Sequence, residues 1–324
     1  MTPEPLDPGE AIGHDEVARA AAVARRIQDN IRGAVKVRDS VLDHVLVTLL
    51  SEGHVLVEDY PGVGKTALAR ALSRSVDCQF ARVQCTADLL PADVVGTNVY
   101  NQRESRFEFR PGPIFANIVV VDEINRASPK TQSGLLECMQ ERQVTVDVFS
   151  HELARPFLVF ATQNPVEYEG TYPLPEAQVD RFMVRLSMGY PAPDDESAML
   201  AGHESGDSVL ELEAVADVTE VLSAQDAARR VHASQALRDY IVSILRHTRN
   251  DARVELGASP RSGLMLLRAA KAAALLDGRD HALPDDVQQL ADAVLAHRLM
   301  LVPEAAGVHR SEIVADAVAA VPAL

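Results

Sequence analysis

Short, continuous apolar runs alternate along this chain with segments whose apolar residues recur at three- and four-residue spacing, the pattern of strands alternating with helices. Residues 54–57, 81–86, 117–121, 157–162 and 183–186 read as strands. Ile118-Val119-Val120-Val121 is unbroken rather than alternating, as expected of a parallel strand covered on both faces. Helical spacing appears in residues 17–32, in Val41, Leu42, Val45, Leu46, Leu49 and Leu50, in residues 67–72, and in Leu135, Leu136 and Met139 behind the capping pair Ser128-Pro129. Alternation at Val144, Val146 and Val148 predicts a hairpin. The segment 89–114 is too long for a plain connection and reads as an insertion. Beyond Pro191-Ala192-Pro193-Asp194-Asp195 no run reads as a strand, whereas Leu237, Tyr240, Ile241, Ile244 and Leu245, and then Leu264, Leu267, Ala270 and Lys271, keep helical spacing. Residues 1–16 hold three prolines, five acids and no Lys or Arg, the composition of a mobile tail. The layout expected is a disordered acidic tail (1–16), an α/β core built on a parallel sheet (17–190) and an all-α lid (191–324).

The connection after the first strand carries chemistry. Pro61-Gly62-Val63-Gly64-Lys65-Thr66-Ala67 places two glycines between a strand and a helix. Backbone N–H groups of such a turn, together with the helix N-terminus, direct positive charge at phosphate. Lys65 can reach the β- and γ-phosphates and the Thr66 hydroxyl can ligate Mg²⁺. The match to the phosphate-loop pattern is incomplete, because Asp59 stands where the pattern has its first glycine.

A second site supports nucleotide chemistry. The run 117–121 ends in Asp122-Glu123, and two adjacent carboxylates at a buried strand's end are costly unless something positive meets them. Beside a phosphate loop, Asp122 suits the Mg²⁺ shell and Glu123 suits polarisation of the attacking water. Asn164, just past the strand 157–162, offers an uncharged amide that can orient water against the γ-phosphate. Arg181, ahead of the strand 183–186, is the candidate for an arginine reaching a neighbouring subunit's nucleotide, with Arg126 and Arg185 as helpers. Ser259 reads as an N-cap with Pro260 first in the helix, which puts Arg261 in the first turn. A cation there opposes the helix dipole, and a nucleotide phosphate is the compensating anion we expect.

Taken together, residues 58–66, 121–127, 161–165, 175–182 and 257–261 resemble the MoxR branch of the AAA+ ATPases, over roughly residues 30 to 320. The resemblance implies an AAA+ P-loop core with a helical lid and the binding of ATP with Mg²⁺. It matches Lys65 and Thr66 to Walker A, Asp122 and Glu123 to Walker B, Asn164 to sensor 1, Arg181 to the arginine finger and Arg261 to sensor 2. It also implies a homo-oligomeric ring, usually hexameric, acting as a chaperone that matures partner proteins, often ones with a von Willebrand factor A domain. The acidic Asp59 fits that branch. Val35 and Lys36 fall where the family holds the base, but Val37 occupies a position the family usually gives to glycine, so the preference for ATP over GTP comes from the resemblance alone. Two other functions fit these residues: the motor subunit of a metal-chelatase complex, and a nucleotide-gated scaffold in which hydrolysis hardly matters.

Composition narrows the partners. The 324 residues carry 31 Lys plus Arg against 47 Asp plus Glu, and a net charge of −16 disfavours a phosphate backbone as ligand. Cys78, Cys85 and Cys138 are odd in number and lack metal-ligand spacing, as expected of reduced thiols in a cytoplasmic protein. No apolar stretch is long enough for a membrane span and no signal pattern opens the chain, so stable membrane insertion is not expected.

Overall fold

A computed structural model describes residues 12–59, 62–164, 170–190, 208–305 and 307–323. Pro61 and the break at 191–195 lie outside the described residues. By contact density the chain forms two units, one of Arg26–Val218 and one of the segment up to Arg25 with Thr219 onward, a division that differs from one at residue 190. Helix α1 (His14–Ala34) begins earlier than its apolar spacing alone indicated. Ile12 is already buried, and Glu16 pairs with Arg230, so the ordered chain starts inside the stretch read as a tail.

In the Arg26–Val218 unit, α2 (Asp39–Leu50) precedes β1 (Val55–Glu58), and α3 (Lys65–Ser75) follows the glycine turn. The sheet is completed by β2 (Phe80–Gln84), β5 (Ile118–Asp122), β8 (Leu158–Gln163) and β9 (Val184–Leu186). Its order is β2-β5-β8-β1-β9, every pairing is parallel, and all five residues of β5 are buried. That explains the unbroken apolar run: a central parallel strand has no solvent face to mark with polar residues. Because the strands run the same way, their C-terminal ends Glu58, Gln84, Asp122 and Gln163 collect at one sheet edge.

The insertion folds as a short α4 (Pro91–Val95) and the hairpin β3 (Gly96–Asn101) with β4 (Arg106–Pro111). Backbone crosses backbone closely at its base, where a Cβ on Gly96 would lie 2.3 Å from the Arg110 carbonyl oxygen and Gly96 has φ of +94°. Only glycine fits there. After α5 (Pro129–Glu141), whose first turn donates from Thr131 N–H to Ser128 Oγ, comes the hairpin expected from the valine alternation, β6 (Gln143–Val146) with β7 (Phe149–Glu152). Asn98 Nδ2 donates to Asp147 at 2.6 Å and Phe109 stacks on His151 at 4.0 Å, so the two hairpins adjoin. A four-residue α6 (Glu176–Val179) leads into β9.

The second unit contains α7 (Val218–Arg230), α8 (Gln235–Asn250), α9 (Pro260–Leu276), α10 (Pro284–Leu295) and α11 (Arg310–Ala320). It is helical as expected, with one addition: β10 (Val254–Leu256) and β11 (Met300–Leu301) form a small antiparallel ribbon, too short to leave an alternating signature. The α9 stripe also differs from its Leu264-Leu267 reading. Leu264 is 60% exposed, and the buried face runs through Gly263, Leu266, Ala269 and Ala270. Close approach dictates this, since a Cβ on Gly263 would meet Leu245 at 2.6 Å.

One buried histidine ties the sheet to α5. His54 Nε2 donates to the Met139 carbonyl at 3.0 Å, its Nδ1 accepts from Val159 N–H at 3.1 Å, and its ring meets Phe157 edge-on. Burial pushes its pKa down to about 4 from 6.5, with Arg142 adding to the effect and the Met139 bond opposing it. The folded chain therefore holds a neutral imidazole that the unfolded chain protonates below pH 6.5. Its contribution is complete above that value and is lost as pH falls toward 4. Between pH 7.5 and 5 this group alone should lower unfolding stability by about 2 kcal/mol, and His54→Gln should flatten that part of the profile in urea titrations.

Candidate nucleotide site

The turn after β1 is shaped for an anion. Gly62 and Gly64 have φ of +86° and +87°, a region L side chains rarely adopt, and a Cβ on Gly62 would enter open space. Gly64 is the N-cap of α3 and no side chain caps that helix, which leaves its first N–H groups for a ligand. Lys65 Nζ donates to the Asp59 carbonyl at 2.8 Å. Burial lowers the Lys65 pKa, and the carboxylates of Asp59, Asp122 and Glu123 oppose that shift.

Asp59 explains its own place in the glycine position. Its side chain is buried and Oδ2 accepts from Gly189 N–H at 2.7 Å and from Ser187 Oγ at 3.2 Å. Arg38 donates to the carbonyls of Ser187 and Met188. The phosphate loop is thus fastened to the segment leaving β9, and a glycine at 59 could not make these bonds.

Across the sheet edge, Asp122 ends β5 and Glu123 follows with φ of +55°. A glutamate in that region is strained, and such strain persists where the surrounding structure enforces a functional geometry. Thr162 of β8 holds the pair, since its Oγ1 accepts from Glu123 N–H at 3.0 Å and donates to Asp122 Oδ1 at 3.3 Å. Asp122 Oδ2 accepts from Arg82 Nε of β2 at 2.6 Å, and Glu123 Oε2 pairs with Arg126 at 3.0 Å.

A cleft of about 220 Å³ brings these parts together. Gly62, Gly64, Lys65, Thr66, Ala67, Asp122, Glu123 and Asn164 all line it, beside Asp59, Arg82, Gln84 and Thr162. A larger cleft of about 580 Å³, at the other end of α3, is lined by Arg70, Arg74 and Phe80 and has neither a glycine turn nor an acid pair. Size favours the second and chemistry the first, where a glycine turn and a helix start face two adjacent carboxylates.

Among the described residues no three His, Cys, Asp or Glu side chains cluster as a metal site. This fits Mg²⁺, which is held by one or two protein oxygens together with substrate phosphates and water. Thr66 and Asp122 both line the cleft and carry the oxygens that could serve it.

Other expected residues fall elsewhere. Val63 is buried with its side chain in the core. Val35 is buried at the end of α1, where its N–H donates to the Ile31 carbonyl, and Lys36 is exposed; neither lines the cleft, because packing turns one inward and solvation takes the other outward. The two helper arginines are occupied within the chain, Arg126 by Glu123 and Arg185 by Glu58 at 3.1 Å. Arg181 is half-buried after α6 and does not line the cleft of its own chain. Arg261 is exposed in the first turn of α9, in the second unit, behind a cap in which Ser259 Oγ accepts from Ser262 N–H at 3.1 Å. Sequence reading missed Arg82, Gln84 and Thr162. The alternation of β2 offered no chemical motif for the first two, and Thr162 looked like any β-branched strand residue.

Residues 54–184 match the model of the ATPase family associated with various cellular activities, and residues 246–317 match an AAA lid domain. The chain is 51% identical over 278 residues to YeaC of Bacillus subtilis (strain 168), covering 85% of this chain and 87% of that protein. It is 39% identical over 302 residues to Chaperone MoxR1 of Mycobacterium tuberculosis, covering 90% and 80%. A crystal structure of a candidate ATPase from Cytophaga hutchinsonii superposes with a TM-score of 0.89 at 35% identity, over 96% of this chain and 97% of that one.

Proposed function

Because the chain belongs to the MoxR family of AAA+ ATPases, we propose that it binds Mg²⁺ and ATP in the Gly62–Asn164 cleft, hydrolyses the nucleotide between subunits of a ring, and uses the motion to remodel client proteins. The observation that carries this reading is the convergence, in one cleft, of an uncapped helix start, Lys65, the Asp122-Glu123 pair and Asn164.

Roles follow from position. Loop N–H groups and Lys65 bind and orient the triphosphate. Thr66 and Asp122 would hold Mg²⁺, which when bound neutralises phosphate charge. Glu123 accepts the proton of the attacking water, and Asn164 fixes that water's direction. Arg181, projecting outside its own cleft, serves the nucleotide of the adjoining copy, and Arg261 contacts phosphate from the lid. Clients meet the two adjoining hairpins, whose Tyr100, Phe107, Val148 and Phe149 leave 50%, 70%, 84% and 65% of their surface exposed. Large apolar side chains held out in water in this way mark a contact surface. A client or adaptor carrying a von Willebrand factor A domain is the partner class we expect. The cytoplasm is the compartment we expect for this activity; none of the described helices is long and apolar enough to cross a membrane.

Two measurements on the purified chain test the reading: binding of a fluorescent ATP analogue with Mg²⁺, and light scattering with and without nucleotide. Saturable uptake and nucleotide-dependent assembly are expected. A chain that stays monomeric and takes up no nucleotide would refute the reading.

A further inference from the structure

Asp122 does not wait for a metal with free oxygens. Oδ1 accepts from Thr162, and Oδ2 accepts from Arg82 Nε at 2.6 Å, while Arg82 Nη2 donates to Gln84 Oε1 at 3.2 Å on the same strand. The β2–β5 register fixes this meeting, since Gln84 lies opposite Asp122 and Arg82 opposite Val120. The carboxylate is 11% exposed and the arginine 53%, so the ion pair sits at the cleft wall with its cationic partner reaching in from solvent. Arg82 also lines the cleft itself.

We propose that Arg82 is a positioning residue that holds Asp122 in place and competes with Mg²⁺ for it, so that the metal enters only with a triphosphate. This rests on the nucleotide-binding reading of the cleft. For Asp122 to become a metal ligand, Arg82 must release Oδ2, and two cations cannot share one carboxylate edge without repulsion. A metal ion alone offers Arg82 nothing in exchange. A triphosphate does, because its oxygens lie in the same cleft and replace the lost acceptor. The ion pair thereby keeps the acid aligned and makes metal and nucleotide binding mutually dependent.

The readout is the factor by which excess Mg²⁺, relative to EDTA, tightens binding of a fluorescent, non-hydrolysable ATP analogue. In Arg82→Gln this factor should fall about two- to fivefold, the scale of a partly exposed ion pair, because the metal then meets no competitor in the nucleotide-free cleft and the triphosphate no longer has to free Asp122 for it. Arg82→Lys keeps the charge without the planar donor geometry and should fall between. In an Asp122→Asn background, Arg82→Gln should produce no further change, because the effect acts through that carboxylate. Mn²⁺ in place of Mg²⁺, followed by electron paramagnetic resonance, reports metal occupancy directly. An unchanged or larger factor in Arg82→Gln, or an equal fall with Asp122→Asn, overturns the proposal while leaving nucleotide binding standing. Failure of the wild-type chain to bind the analogue overturns both. Thermal melts confirm folding, which a half-exposed pair should scarcely affect.

Discussion

Glu123→Gln is expected to cut ATP turnover by about 10²–10⁴-fold while ATP affinity stays within a few-fold of wild type. Glutamine keeps the shape and the backbone N–H bond to Thr162 but cannot accept a proton. The phosphate contacts we propose come from the turn before α3, at Gly62, Gly64 and Lys65, not from the end of β5, so binding should be spared. The substitution also frees Arg126 from its 3.0 Å ion pair, a partly exposed contact whose loss is minor. Steady-state phosphate release and equilibrium binding, measured on the same preparation, separate the two effects. The variant also discriminates motor from scaffold: a motor stalled with ATP should retain its client in affinity capture, whereas a scaffold would serve its partner unchanged. Turnover near the wild-type rate would remove Glu123 from the proposed chemistry.

Arg181→Ala should lower turnover by about 10³–10⁵-fold if its guanidinium completes a neighbour's site. The case rests on contrast among three arginines. Arg126 and Arg185 are engaged by acids of their own chain, whereas Arg181 has no ion pair among the described residues and does not line its own cleft. Action across an interface makes a sharper claim than loss of rate. Mixing Arg181→Ala with Glu123→Gln should restore activity, because some interfaces then join an intact Glu123 to an intact Arg181. Two inactive variants that stay inactive when mixed, in rings shown to exchange subunits, would place Arg181 outside the neighbour's site.

The sequence spoke most clearly where structure and chemistry are local. A turn needing positive φ declares itself through Gly62 and Gly64, and a strand buried on both faces through the β-branched run before Asp122. Ser128, Ser259 and their following prolines marked helix starts that the structure keeps. Periodicity was weaker where small residues carry the packing. In α9 Leu264 is exposed, while the buried face passes through the small residues Gly263, Ala269 and Ala270 as well as Leu266. The insertion at 89–114 was legible as an excess of length, but not as a hairpin joined to a second hairpin by Asn98 and Asp147.

By itself, then, the sequence determined the α/β alternation, the phosphate turn and the acid pair, since each is written within about ten consecutive residues whose backbone they constrain directly. Tertiary structure alone decided which distant side chains meet. Strand order β2-β5-β8-β1-β9 sets Arg82 against Asp122, Thr162 beneath the acid pair, and Asp59 against Ser187 and Gly189. Packing of Val35 and solvation of Lys36 likewise leave both outside the cleft lining. Order and register arise from burying faces contributed by segments far apart in the chain, so no local window carries them.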